Sequence, residues 1–182
     1  MIKYVRLAEE LDLPAIGEIF ADAKNTLAQD GSAQWQNGTP TIRDFEEDVR
    51  EKRCYVLVVD GAVAGMASLI AGPDRNYARI DDGEWKNDSD EYIAVHRVAI
   101  SSRYSGLHLN DTLFSCLLTI ISLKGFRHVR IDTHPKNQRM QHIADKFGFE
   151  YRGRIYIEDE ETEPERRAYE LDLGEGENDE EV

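Results

Sequence analysis

The fold is decided by one stretch of sequence, Val98-Ala99-Ile100-Ser101-Ser102-Arg103-Tyr104-Ser105-Gly106-Leu107-His108. An apolar strand ends at Ile100, and an apolar helix pattern begins at Leu107. The first turn of such a helix carries free backbone N–H groups and the positive end of the helix dipole. Gly106 allows close approach of a ligand, and Arg103 can donate to a phosphate. The stretch therefore fits a pyrophosphate-binding loop, although an ordinary strand–loop–helix turn has the same local pattern.

The apolar patterns on either side predict a mixed α/β domain. Strands are predicted at 2–7, 55–59, 62–69, 92–100, 129–133, 154–157 and 167–173, and helices at 12–27, from Thr41, at 107–124 and at 137–147. The Asp60-Gly61 pair between two apolar runs predicts a tight hairpin. This order predicts a mixed sheet with parallel crossovers around the strand at Val129.

The length of 182 residues suits one domain, which we place at residues 1–173. Residues 174–182 hold five carboxylates and no apolar pattern, which predicts a disordered acidic tail. The apolar run at 113–123 is too short and too polar to span a bilayer, and the N-terminus has no apolar signal core. Cys54 and Cys116 are typical of reduced core thiols. We therefore expect a cytoplasmic protein without a membrane partner.

The formal net charge is −14, from 36 acidic and 22 basic side chains. Such a charge repels phosphate backbones, so we expect no nucleic-acid partner. Any anion site must be local and built from backbone N–H groups with a few cationic side chains.

Two spaced motifs resemble those of the GNAT N-acetyltransferases. The first is Arg103-x-x-Gly106-x-His108 after the Val-Ala-Ile strand, where the family has Arg/Gln-x-x-Gly-x-Gly/Ala. The second begins at Asn137-Gln138-Arg139-Met140 and closes with Phe147-Gly148-Phe149. Asp132-Thr133-His134, and Trp35 with Pro40, are similar to an uncharacterised bacterial branch of that family. The element order agrees as well, so the resemblance covers residues 2–173.

The resemblance implies a GNAT-like mixed central sheet of about seven strands with flanking helices. It implies a splay between the two central parallel strands, 92–100 and 129–133, with the pantetheine of acetyl-CoA in the gap. The implied cofactor contacts are backbone groups of Val98 and Ile100, the Arg103 side chain, N–H groups of Tyr104, Ser105, Gly106, Leu107 and His108, and the Asn137 side chain.

Three positions depart from the family pattern. His108 stands where the family prefers Gly or Ala, and its imidazole either crowds the phosphate or adds a cation when protonated. Ala144 occupies the position of the tyrosine that protonates the leaving thiolate in many members. Ala94 occupies the position of a glutamate base in some members. No catalytic role transfers to either alanine.

Two histidines are the candidates for proton transfer. His96 lies two residues beyond Ala94 on the same strand face, and we predict that it is the base or holds a water. His134 follows its strand at the carboxyl end, where α/β sites gather, and we predict that it is the acid. The alternatives are a partly buried structural histidine and a loop histidine bonded to backbone. Asp132, His134 and His142 have no recognised metal-ligand spacing, so we expect no metal.

The predicted function is transfer of an acetyl group from acetyl-CoA to a primary amine by direct attack in a ternary complex. A non-catalytic acyl-CoA-binding sensor or partner-binding module is the alternative, favoured by the two alanines. Trp35, Tyr77 and Trp85 are candidate acceptor-binding residues, or else core anchors. Residues 74–91 carry a net charge of −4, which favours a cationic acceptor such as a small amine or polyamine. A protein N-terminus as acceptor and a homodimer are also compatible with the sequence.

Overall fold

The computed structural model describes residues 1–87, 89–158, 160 and 162–174. Its elements are β1 Lys3–Leu7, α1 Leu13–Gln29, α2 Ile42–Arg50, β2 Cys54–Val59, β3 Ala62–Ala71, β4 Tyr92–Ile100, α3 Leu109–Leu123, β5 His128–Thr133, α4 Gln138–Lys146, β6 Glu150–Tyr156 and β7 Glu165–Asp172. This is the mixed α/β order that the sequence predicts. Apart from Gly174, the predicted acidic tail lies outside the described residues.

Most predicted bounds shift by one or two residues, and two of the differences have a clear physical cause. Helix α3 begins at Leu109 rather than 107, because His108 adopts a left-handed backbone conformation with a φ of 51°. Strand β6 begins at Glu150 rather than 154. A bulge between Tyr151 and Gly153 interrupts its register with β7 and breaks the alternation that would have marked its start.

The seven strands form one sheet in the order β1-β2-β3-β4-β5-β7-β6. The Asp60-Gly61 hairpin joins β2 to β3, with positive φ at both residues. Strands β4 and β5 are parallel and pair only from Tyr92↔His128 to Ala94↔Arg130. Beyond Ala94 the two strands have no register partners on each other, which is the predicted splay.

Three apolar clusters cover the sheet. Helices α3 and α4 pack on one face, with Leu113 and Leu117 buried against it. Helices α1 and α2 pack on the other face above β2 and β3, where Phe45 is buried. The segment between β3 and β4, residues 72–91, covers the rest of that second face through Tyr77. Tyr77 thus covers Tyr92 and Ala94, at the end of β4 that pairs with β5.

A buried ion pair fixes residues 72–91 to the sheet. Arg130 of β5 donates from Nε to Oε1 of Glu170 on β7 at 3.1 Å, and both side chains are buried. The other Glu170 oxygen accepts the Lys86 backbone N–H at 2.7 Å. The Arg130 guanidinium also lies 4.1 Å from the ring centroid of Trp85. The segment is therefore held to the sheet at Trp85 and Lys86, which helps to fix the position of Tyr77.

Candidate active site

A β-bulge bends β4 at the splay. The β3 pairing steps from Met66↔Ala99 to Ser68↔His96, so β4 carries one extra residue there. Arg97 has a φ of 54°, and its Nη1 donates to Oδ2 of buried Asp48 on α2 at 2.5 Å. The same carboxylate oxygen accepts the Ser68 hydroxyl. Helix α2 therefore holds the bulge, and the bulge turns the end of β4 away from β5.

The candidate anion cradle is the loop from Ser101 to His108 together with the first two residues of α3, Leu109 and Asn110. Gly106 has a φ of 80°, and a Cβ built on it meets no atom within 4 Å, so the space before it is open. Four backbone N–H groups of this turn have no hydrogen-bond acceptor among the described residues. They are those of Gly106, His108, Leu109 and Asn110. Free N–H groups at a helix N-terminus suit a pyrophosphate. Of the five loop N–H groups that the sequence assigns to acetyl-CoA, those of Gly106 and His108 are available here. Those of Tyr104, Ser105 and Leu107 bond to carbonyl groups of the loop itself.

The other predicted cofactor residues surround this cradle. Val98 and Ile100 lie on β4 beyond its last pairing with β5, and Tyr104 and Leu107 pack on the α3 side of the core. The Arg103 side chain is 79% exposed and lies 3.4 Å from Glu18 of α1. Such an exposed pair is weak, so the guanidinium can turn to a phosphate at little cost.

His96 lies at the splay between two carboxylates. Its Nε2 is 3.2 Å from Oδ2 of Asp74, and its Nδ1 is 3.8 Å from Oδ1 of Asp132 on β5. The Tyr77 hydroxyl donates to the same Asp132 oxygen at 2.7 Å. The structure therefore brings His96 and Tyr77, two of the predicted site residues, together with Asp74 and Asp132.

The charges at this cluster follow from its contacts. Burial raises the pKa of Asp74, but hydrogen bonds from His96 and from the Asn76 N–H outweigh it and leave that pKa below its ordinary value. Burial, together with the neighbouring Asp132 charge, raises the pKa of Tyr77 well above its ordinary value. Asp74 is therefore an acceptor, and the Tyr77 hydroxyl keeps its proton.

His134 occupies a different environment. Its side chain is 3% exposed, its Nδ1 accepts the Lys136 N–H at 3.1 Å, and its Nε2 lies 3.0 Å from Glu163. Burial lowers its pKa, and the charge of Arg166 lowers it further. The ring contacts the connection between β6 and β7 rather than His96. Its role as the acid stays a prediction.

Asn137 and Gln34 form a contact that sequence patterns did not indicate. Asn137 accepts the Met140 N–H at 3.1 Å as the cap of α4, and its Nδ2 donates to Gln34 at 3.1 Å. Gln34 also accepts the His134 N–H at 3.4 Å. No local signal identifies Gln34, because it lies 103 residues from Asn137 in the chain.

The two predicted acceptor tryptophans pack against protein. Trp35 lies 5.4 Å from the ring of Phe20. The Trp85 indole donates to the Tyr77 carbonyl at 2.9 Å, and Arg130 covers its ring. These contacts are typical of anchors, and a role for either ring in acceptor binding stays a prediction.

The described ranges lack two other features, a metal-ligand cluster and a membrane-spanning helix. No three His, Cys, Asp or Glu side chains there are grouped closely enough to hold a metal ion. No helix there combines the length and apolar character needed to cross a bilayer.

The model of the Acetyltransferase (GNAT) family matches residues 16–149, which make up most of the chain. The chain belongs to the GNAT acetyltransferases. It is 23% identical over 145 residues to the uncharacterized N-acetyltransferase YesJ of Bacillus subtilis, covering 78% of each chain. A GNAT acetyltransferase crystal structure from Streptococcus agalactiae superposes with a TM-score of 0.86 at 31% identity, covering 95% of this chain and 96% of that one. The structure of yncA from Salmonella typhimurium with its cofactor acetyl-CoA superposes with a TM-score of 0.70 at 18% identity. The match covers 97% of this chain and 96% of that one.

The family assignment confirms that the protein is an acetyltransferase. Members of the GNAT family take acetyl-CoA as donor and an amine as acceptor. The two alanines at the usual acid and base positions, Ala144 and Ala94, are both buried. Neither can transfer a proton, so any proton transfer needs other side chains of the site.

Replacing His108 by glycine is expected to stabilise the protein. The left-handed conformation strains an L-residue by about 1–2 kcal/mol, and the greater flexibility of glycine offsets part of that. A net gain of about 0.5–1 kcal/mol raises Tm by about 1–4 °C in a chain of this size, which calorimetry can measure. His108→Ala is the matched control, because alanine keeps the strained angle and removes the same ring. An equal rise in both variants would assign the gain to the imidazole and not to the backbone.

Proposed function

We propose that this protein transfers the acetyl group of acetyl-CoA to a cationic primary amine in a ternary complex, with His96 taking the proton of the amine. The observation that carries the proposal is the position of His96. It lies two residues past the last β4–β5 pair, in contact with Asp74 and facing Asp132. A cytoplasmic location is part of the proposal.

Acetyl-CoA supplies an activated acetyl thioester. The residues proposed to hold it are the N–H groups around Gly106 for the pyrophosphate, with Arg103 adding charge. The backbone of Val98 and Ile100, which has no strand partner on β5, is proposed to bind the pantetheine, and Asn137 to contact the same arm. His96 lies on the strand that carries both backbone contacts, which supports attack within one complex.

An amine acceptor needs help to react. With a pKa of about 10.4, only about one alkyl amine in 2,500 is neutral at pH 7, a cost of roughly 4–5 kcal/mol. A neutral imidazole beside the nitrogen can remove that proton. The thiolate of CoA is a good leaving group, because the pKa of a thiol is about 8.5. Acid assistance is therefore useful but not obligatory. The alanine at position 144 is therefore compatible with turnover.

The charges near His96 favour a cation. Asp74 and Asp132 both contact the imidazole, and each is mostly buried. The acidic segment contributes less than its composition indicates, because Asp81 pairs with Arg79 and Asp82 with Arg154. Asp88, another of its carboxylates, lies outside the described residues.

The test is release of free CoA thiol from three matched acceptors, 1,4-diaminobutane, butylamine and 4-aminobutanoate, at low and high salt. We expect kcat/KM to fall in that order and the diamine value to fall as salt screens the carboxylates. A salt-insensitive preference for 4-aminobutanoate would contradict the cationic acceptor. Tight acetyl-CoA binding with no turnover on a broad amine panel would favour the acyl-CoA sensor instead.

A further inference from the structure

We propose that Asp74 is a positioning residue that fixes the tautomer of His96, so that the bare Nδ1 faces the place where the acceptor nitrogen binds. This inference rests on the proposed function for its catalytic consequence. The tautomer itself is a property of the free protein and can be measured without a substrate.

The geometry sets the proton on Nε2. The Asp74 carboxylate is ionised and can only accept, so the imidazole nitrogen 3.2 Å from its Oδ2 must donate. In a neutral imidazole the other nitrogen, Nδ1, then carries the lone pair. Nδ1 is therefore the basic atom of His96.

Asp74 is itself held from two directions. Its Oδ1 accepts the Asn76 N–H at 2.9 Å. Its own backbone N–H donates to the hydroxyl of Tyr92 at 2.7 Å, and Tyr92 is buried at the start of β4. With one oxygen used by Asn76, the other oxygen is left to face His96. The carboxylate is thus fixed in orientation as well as in place.

Nδ1 faces the side of the splay where Asp132 lies. The two atoms are 3.8 Å apart, and the Tyr77 hydroxyl occupies one lone pair of that Asp132 oxygen. No described residue donates to the second oxygen, Oδ2. A protonated amine has several N–H donors, so it can donate to Asp132 and to Nδ1 together. Asp132 would hold the ammonium while Nδ1 removes its proton.

The proton balance of the step is complete. An ammonium acceptor gives one proton to Nδ1, which passes it to solvent, and its lone pair then forms the new N–C bond. The C–S bond breaks, and the second nitrogen proton goes to the departing sulfur, which leaves as a thiol. His96 returns to its Nε2–H form, which Asp74 restores for the next turnover.

The test is the Asp74→Asn variant, because the structure fixes how the amide would sit. Its Oδ1 keeps the Asn76 N–H, so its Nδ2 faces His96 and donates to Nε2. The proton of the imidazole is then driven to Nδ1. Imidazole ¹⁵N NMR, at a pH where imidazoles are neutral, should show Nε2–H for His96 in the wild-type protein and a shift toward Nδ1–H in the variant. We expect kcat to fall by about 10²–10⁴-fold, the effect of a wrong tautomer, with acetyl-CoA affinity unchanged.

Two internal controls make the result specific. His134 should stay Nε2–H in both proteins, because its Nδ1 accepts the Lys136 N–H. Asp81→Asn removes the same charge from the same segment, where Asp81 pairs with Arg79, and should change neither the tautomer nor kcat. An Nδ1–H form of His96 in the wild type, or an unchanged tautomer in Asp74→Asn, would overturn the inference. A wild-type protein with the Nε2–H form but no turnover on any amine would instead overturn the proposed function.

Discussion

Replacing His96 by glutamine is expected to lower kcat by about 10²–10⁴-fold, the usual contribution of a general base. Glutamine can still donate a hydrogen bond to Asp74, but its amide has no basic nitrogen to take a proton. Acetyl-CoA affinity should not change, because the proposed cofactor contacts lie at Val98, Ile100, residues 101–110 and Asn137, and His96 makes none of them. Steady-state rates with the best amine, together with calorimetry of acetyl-CoA binding, measure the two quantities separately.

The controls for His96 use the other histidines. His142→Gln changes an exposed side chain on α4 and should leave kcat intact. His134→Gln tests the predicted acid, because a role in proton transfer lowers kcat at unchanged Tm. A lower Tm with normal kcat would instead assign His134 to holding the connection between β6 and β7. Full turnover by His96→Gln would remove the base from our mechanism.

Replacing Gly106 by glutamate is expected to weaken acetyl-CoA binding by about 10²-fold or more. The new side chain enters the open space in front of the cradle and places a carboxylate where the pyrophosphate would bind. Loss of even one or two charge-assisted hydrogen bonds, at about 1.5–3 kcal/mol each, accounts for that change. Titration calorimetry with acetyl-CoA is the measurement.

The left-handed backbone at Gly106 requires a matched control. Gly125 has a φ of +89° and open space around it, but it follows the C-terminal end of α3. Gly125→Glu should therefore lose similar stability from backbone strain while binding acetyl-CoA normally. Equal affinities for the two variants would show that the loop at Gly106 does not hold the cofactor.

Local patterns predicted the features that depend on neighbouring residues in the chain. The Asp60-Gly61 hairpin, the strand that ends at Ile100 and the start of α4 near Asn137 each need only a few adjacent residues. The left-handed angle at His108 was missed, because the position has the backbone of a glycine and the side chain of a histidine. The family's preference for Gly or Ala there was the available signal.

The chemistry at His96 depends on distant parts of the chain. Its strand face predicts a role at the site. Asp74 approaches it because residues 72–91 fold back over the sheet, and Asp132 approaches it because β5 lies beside β4. The bulge at Arg97 likewise needs Asp48 from α2, and the residue pattern of β4 does not predict it. Residue type alone leaves Trp85 as either an acceptor-binding residue or an anchor, because its partner Arg130 lies on β5, far along the chain.

The short β4–β5 pairing is a weak connection between two groups of strands in the sheet. Strands β1 to β4 form one hydrogen-bonded ribbon and β5, β7 and β6 another, and the seam between them is only three residue pairs long. Residues 95–100 of β4 face that seam without a strand partner on β5. A ligand that pairs with this backbone and also contacts β5 joins the two groups of strands. Its binding free energy is then added to the stability of the whole domain. Substrate binding and sheet completion are then the same event.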